Sequence, residues 1–207
     1  IKKEEPMLNR NEFRGASLYY DCATDDARLT LETLLDAESH GAVIANYIRV
    51  TGFFRDHHDN IVGVKLRDEI SGEEWLTKTD TVINATGPWS DRTRGLDSDE
   101  WKKRLRPTKG VHIVVDTNKL KLNNAVVCFH PEDGRVLFAI PWGDRSYIGT
   151  TDTDYQGDPK DVYASNEDVT YLLDAANFYF PLAKLEPEDG IMVTSPPVEG
   201  VAVNACN

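Results

Sequence analysis

The chain has 207 residues, 40% of them hydrophobic and 28% charged, which suffices to bury a core as one domain or two. Its 23 basic against 35 acidic side chains leave a formal net charge of −12, which opposes attraction to phosphate backbones and argues against a nucleic-acid partner. Cys22, Cys128 and Cys206 lie far apart without C-x-x-C spacing, so neither a zinc site nor a disulfide framework is suggested, and a reduced, cytoplasmic setting fits best. No apolar stretch is long enough to span a bilayer, the start Ile1-Lys2-Lys3-Glu4-Glu5 has no signal-peptide core, and the missing initiator Met points to a longer parent chain.

Residues 1 to 14 are polar and aperiodic and read as an exposed or peripheral segment. Gly15 to Cys22 reads as a short aromatic-rich strand with Tyr19 and Tyr20 on opposite faces, one in the core and the other offering a hydroxyl. Thr24 and Asp25 supply N-cap oxygens for a helix whose Ala27, Leu31, Leu34 and Leu35 share one face and which Gly41 ends. Val43 to Phe54 and Ile61 to Arg67 then read as strands joined by a polar hairpin tip that carries His57 and His58, and Trp75 to Asn84 as a third, after a turn at Ser71-Gly72.

That third strand runs into Thr81-Val-Ile-Asn-Ala-Thr-Gly-Pro-Trp-Ser90. Gly87 leaves the main chain bare, Thr86 offers a hydroxyl and Pro88 breaks the backbone, which suits either a tight turn after a core strand or a ligand contact beyond the carboxyl end of one. The charged stretch Ser98 to Arg106 marks a domain crossing. Beyond it Val111–Val115, Ala125–Phe129, Arg135–Pro141 and Ser146–Thr150 read as short strands with turns at Asp133-Gly134 and Gly143-Asp144, a largely antiparallel sheet. A last helix opens at Ser165 with Asp168 three residues on, a capping-box pattern, and buries Val169, Leu172, Leu173 and Ala176.

In the strand Val111–Val115, alternation sets Val111, Ile113 and Val115 on one face and His112 with Val114 on the other. A histidine there serves either as a proton acceptor for a substrate hydroxyl or as a hydrogen-bonded structural residue. Lys109 just before it is either a charge for an anionic substrate or a solvated lysine. Asp152 and Asp154, in Gly149-Thr-Thr-Asp-Thr-Asp-Tyr155, suit turn formation better than metal binding, because the EF-hand spacing is absent. G-x-S-x-G, H-E-x-x-H and Walker A patterns are missing.

Five blocks occur here in the order found in another family. They are Asp25-Asp26-Ala27-Arg28-Leu29, Val82 to Trp89, Lys109 to Val115, Phe138-Ala139-Ile140-Pro141-Trp142 and Gly149 to Tyr155. In this the chain resembles the FAD-dependent glycerol-3-phosphate dehydrogenases and the similar α-glycerophosphate oxidases over roughly residues 15 to 190. The resemblance implies a two-domain α/β (α+β) flavoprotein fragment. A partial Rossmann-like FAD-binding layer with a β-meander would occupy residues 22–97, and a mainly antiparallel substrate-domain sheet residues 1–21 and 98–207. It implies oxidation of glycerol 3-phosphate at C2 to dihydroxyacetone phosphate with hydride passing to FAD, and oxygen or a quinone as the electron acceptor.

By the same resemblance Val50, Ala85, Thr86, Gly87 and Trp89 contact the cofactor and His112 is the base; Lys109 by its charge, and Tyr20 and Thr151 by their hydroxyls, are expected on the substrate side. A cytoplasmic protein, peripheral contact with the inner face of the cell membrane and a homo-oligomer are compatible with it. Two departures stand out. The G-x-G-x-x-G unit that holds the FAD pyrophosphate is absent, so the isolated chain is expected to be inactive. Ile191 to Asn207 also does not match the family's arginine-containing Trp-Ala-Gly-Leu-Arg-Pro-Leu segment. The rival readings are a non-catalytic binding or assembly domain and a related flavin-dependent amino-acid oxidase.

Overall fold

A computed structural model describes residues 3–9, 13–97, 101–149 and 153–189, together with the main chain of Met192–Val193 and Ala202–Cys206. By contacts the chain divides into two compact units, one formed by Ile1–Ala16 with Arg104–Asn207 and the other by Ser17–Lys103. Ser17 to Asp21 thus group with the second unit, whereas the sequence reading set them on the substrate side. Every strand pair described is antiparallel, in keeping with the expected mixed fold of a β-meander and a mainly antiparallel sheet.

The unit Ser17–Lys103 begins with an extended segment and then α1, Asp26–Ser39. The Asp25 carboxylate caps it by accepting the Arg28 N–H at 2.9 Å, and Gly41 turns the chain away at φ +93°. The amphipathic pattern of α1 is real, but none of its residues is buried; Leu29, Leu31, Leu34 and Leu35 all face solvent. A meander of β1 (Ile48–Arg55), β2 (Ile61–Asp68) and β3 (Glu74–Lys78) follows, with β2 central. Asp56 closes the β1–β2 turn by accepting the N–H groups of His58 and Asn60 at 2.8 and 2.9 Å. Phe54 lies over Gly63 on the facing strand, where an added Cβ would collide with its ring.

The strand expected at Gly15–Cys22 does not form, and the one expected over Trp75–Asn84 forms only as β3, ending at Lys78. Gly15–Cys22 is irregular, and Tyr19 and Tyr20 are both exposed, Tyr20 fully at 102%, so neither tyrosine is a core residue. Thr81–Asn84 is likewise irregular and Ile83 is 85% exposed. The reason is shared: a strand needs a neighbour for its N–H and C=O groups, and among the described residues none pairs with either segment. Val43–Asn46 also precedes rather than joins β1, behind Tyr47 at φ +58°.

The unit that includes Arg104–Asn207 holds the core. Its five-stranded sheet, including β5 (His112–Asp116), β6 (Val126–Phe129), β7 (Val136–Trp142) and β8 (Arg145–Gly149), has the order β10-β5-β8-β7-β6, where β10 is Met192–Val193. A second, three-stranded sheet joins β4 (Arg106–Gly110) between β9 (Thr153–Asp154) and β11 (Ala202–Cys206). Helix α2, Ser90–Arg94, belongs to the other unit; α3, Asn166–Tyr179, packs on one face of the larger sheet.

The capping box expected at Ser165 and Asp168 is present, and Val169, Leu172, Leu173 and Ala176 are buried as expected. They meet Ile113, Val115, Leu137, Ala139 and Ile148, the alternate residues of β5, β7 and β8. The amino-terminal segment is a correction: Glu5 is only 5% exposed, because its carboxylate accepts the Asn123 N–H and the Asn124 side-chain amide, both at 2.9 Å. Phe13 stacks on Tyr179 at 5.5 Å, so residues 3–13 include core contacts rather than only a peripheral arm.

Candidate functional site

Ala85, Thr86, Gly87 and Trp89 fall in one exposed loop that leads through a 3-10 turn, Gly87–Trp89, into α2. Gly87 adopts φ +53°, a conformation that only glycine takes without strain, and open space lies where a Cβ would project. Asn84, which the sequence reading passed over, holds this loop. Its Oδ1 accepts the Thr86 N–H at 3.3 Å and the Thr86 hydroxyl at 2.8 Å, and its Nδ2 donates to the Ser90 carbonyl at 2.9 Å. The Thr86 hydroxyl is also 3.0 Å from that of Thr93, so within this loop it works for the protein.

The signal for Asn84 was present in the sequence: an asparagine two residues before a backbone N–H that needs a partner forms an Asx turn. Val50 sits in β1, an edge strand, opposite Leu66 and beside a register break between Val50 and Gly52. Tyr20 stands in the irregular segment before α1. Thr151 and Asp152 lie outside the described residues.

In the other unit His112 is half-buried on the sheet face opposite α3, as strand alternation requires. Tyr147 meets its ring edge-on at 5.6 Å, and Trp142 meets Tyr147 in the same manner at 6.1 Å. Lys109, one strand earlier, is nearly buried, and its ammonium is paired with the Asp168 carboxylate and donates to the Tyr163 carbonyl at 3.4 Å. Burial alone would raise the Asp168 carboxyl, yet the Lys109 ammonium and the Ser165 N–H and hydroxyl hold it below the usual carboxylate range. A cleft of about 260 Å³ opens beside this pair, walled also by Arg135, Thr153 and Tyr171; His112 is not one of its walls. Lys109 and His112 therefore belong to consecutive strands without sharing that cleft.

A polar cluster flanks the cleft that the sequence did not announce. His130, 2% exposed, stacks on Tyr171 at 3.8 Å between ring centroids and 3° between planes. Its Nε2 is 3.1 Å from the Tyr171 carbonyl oxygen and its Nδ1 accepts the Glu132 N–H at 3.3 Å, the pattern of the Nε2–H tautomer. Tyr171 donates to Asp133 at 3.1 Å, and Arg135 lies 4.8 Å above the tyrosine ring while its Nε donates to Asp133 at 2.7 Å. Burial opposes ionisation of Asp133, but the Arg135 N–H and guanidinium and the Tyr171 hydroxyl hold its carboxyl down at about 2. Asp154, which the sequence set in a turn, pairs with Arg106 at 2.6 Å across β4 and β9. Among the described residues no group of three or more His, Cys, Asp or Glu side chains is placed to hold a metal ion, and no helix is long and apolar enough to cross a membrane.

Comparison with known proteins agrees with this architecture. Over 186 residues, 90% of the chain, it is 40% identical to the aerobic glycerol-3-phosphate dehydrogenase of Staphylococcus haemolyticus, and over 187 residues 41% identical to that of Staphylococcus saprophyticus. The chain spans about a third of the length of these relatives, 33% and 34%. Among solved structures, the glycerol-3-phosphate dehydrogenase from Bacillus halodurans complexed with FAD superimposes with a TM-score of 0.89 at 37% identity, over 99% of this chain and 40% of that one. The L-proline dehydrogenase from P. horikoshii matches at a TM-score of 0.63 and 18% identity over 87% of this chain and 43% of its own, a likeness of fold. The sequence pattern of the family described as FAD dependent oxidoreductase (DAO) matches residues 1–197. The chain belongs to the FAD-dependent oxidoreductase family.

Proposed function

We propose that the chain is the central part of a flavoprotein that oxidises sn-glycerol 3-phosphate to dihydroxyacetone phosphate. The similarity to named glycerol-3-phosphate dehydrogenases supports the substrate, and the observation that carries the chemistry is His112, half-buried on an open sheet face with its ring fixed from the side by Tyr147. The residues present fit one side of FAD: the main chain of Ala85–Gly87 is exposed, open space faces Gly87, and Asn84 keeps the loop in shape without spending its outer surface. When bound, FAD supplies a two-electron acceptor for the hydride that leaves C2. His112 takes the proton of the C2 hydroxyl, so that the C–H electron pair departs as the carbonyl forms and charge balances. Trp89 and the Val50 main chain stand on the cofactor side; Lys109, Tyr20 and Thr151 are assigned to the substrate side by the charge or hydroxyl each carries.

The test is anaerobic bleaching of the flavin absorbance by glycerol 3-phosphate in the full-length gene product. His112→Ala is expected to slow that reduction by about 10²-fold or more, with flavin still bound. An unchanged rate removes His112 from the chemistry, and L-proline bleaching the flavin in place of glycerol 3-phosphate overturns the substrate. Reoxidation is assigned to oxygen or to a membrane quinone, and following it with each acceptor decides between them. Peripheral attachment at the inner face of the cell membrane and a homo-oligomer belong to the same proposal, read by vesicle co-sedimentation and by solution mass.

A further inference from the structure

Across the five-stranded sheet, His112 on β5 pairs with Gly149 on β8, Gly149 with Phe138 on β7, and Phe138 with Val127 on β6. Side chains of one cross-strand row share a face, so this row presents an imidazole, an empty position, a phenyl ring and a valine. The empty position is the one beside the histidine. A Cβ built at Gly149 would stand 2.2 Å from His112 Cδ2 and 2.7 Å from both Cγ and Nε2, separations that no real Cβ tolerates. These three ring atoms are the nearest heavy atoms to that point.

The backbone gives no other reason for glycine here. Gly149 is not among the glycines at positive φ, and it is the last residue of β8, following Ile148, which faces the core, and paired on both sides with His112 and Phe138. A glycine inside a strand costs conformational entropy and offers nothing to pack, so its presence next to a side chain that fills its space marks a close approach. The Cδ2 edge of His112 lies over Gly149 while the edge of Tyr147, two residues back on β8, meets the same ring.

We propose that Gly149 is a positioning residue for His112: the missing side chain is the seat in which the imidazole rests, and Tyr147 is the wall that keeps it there. The catalytic consequence rests on the reading of His112 as the base. A base must hold its nitrogen within hydrogen-bond reach of the proton it takes, and a displacement of about 1 Å at such a group costs on the order of 10²-fold in rate. Any residue larger than glycine at position 149 turns the ring out of its seat.

A double-mutant cycle on thermal stability of the chain tests this without any bound flavin. Gly149→Ala is expected to lower Tm by roughly 2–10 °C when His112 is present, through overpacking. In a His112→Ala background the same change is expected to leave Tm unchanged or raise it, because the added methyl then has room and alanine restricts the unfolded chain. An equal loss of Tm in both backgrounds overturns the proposal. If Gly149→Ala fails to fold, recovery of a cooperative melt in the double variant supports it, and no recovery overturns it. NMR gives a second readout: the His112 ring protons, shifted by the Tyr147 ring current, move in Gly149→Ala, and unmoved resonances overturn the seat. In the full-length flavin-loaded protein, Gly149→Ala is expected to slow flavin reduction at saturating glycerol 3-phosphate by about 10-fold or more. Coupling in the cycle with an unchanged reduction rate sustains the seat and instead overturns the assignment of His112 as base.

Discussion

At the scale of single residues, position in a strand or loop decides what a side chain can do. Cys128 and Cys22 carry the same thiol, but Cys128 is buried in the core on β6, with its Sγ 3.6 Å from the Leu137 carbonyl, and burial pushes its pKa up to about 12. Cys22 is exposed. Because the thiolate is the reactive form, a thiol reagent at neutral pH is expected to label Cys22 within minutes and to reach Cys128 only on unfolding, checked by mass mapping of the labelled peptides. His112 was legible because alternation along Val111–Val115 alone sets it opposite the core residues. Asn84 was legible only in its Asx turn with Thr86, not in its reach to Ser90, and Gly149 was not legible at all, since its role depends on a ring on the neighbouring strand.

At the scale of elements, α3 shows how local and long-range terms agree. Its capping box, its apolar face and the Lys109–Asp168 pair all act on one helix start, and the last of these ties it to β4, the strand that feeds β5. The Asp168 carboxyl is held below its ordinary range in the fold, so its contribution is fully present above the unfolded-state pKa of about 3.9 and is lost as pH falls through the lower folded value. Asp133, held at about 2, adds to stability over the same direction, losing its contribution between about pH 4 and 2. Asp168→Asn leaves Lys109 buried without its anion and is expected to cost about 3 kcal/mol in denaturant melts at neutral pH. The difference from the parent chain should shrink as pH falls below the carboxylate range; a constant difference down to pH 2 would assign the loss to packing instead. Capping boxes and helix periodicity are written in neighbouring residues and could be read from sequence. The absence of a strand at Gly15–Cys22 and the end of the Trp75–Asn84 strand at Lys78 could not, because a strand exists only with a partner.

At the scale of the whole molecule, burial is uneven. Among the described residues Val64 is the buried apolar side chain of the unit Ser17–Lys103, while the other unit holds a continuous core from Val111 to Leu185. Local stability follows buried contact, so amides of α3 and β5 are expected to exchange with solvent on the order of 10²-fold more slowly than those of α1 in native-state hydrogen exchange. Equal protection in α1 would show that its leucine face is covered in solution. Composition and turn signals gave the antiparallel sheet, its turns and its helix within a few residues; what they could not give was which apolar faces would be buried, since Leu31 and Leu172 look alike in a periodic pattern.

That leucine face has a bearing on how the chain behaves in a test tube. Dyes such as ANS fluoresce when they meet exposed apolar surface, and their signal is ordinarily taken as the mark of an expanded, loosely packed state. Here α1 offers such a surface on a helix with regular hydrogen bonds and a proper cap. Bright dye fluorescence from this chain reports an uncovered side of a formed helix, and only loss of near-ultraviolet circular dichroism marks the melting of its core.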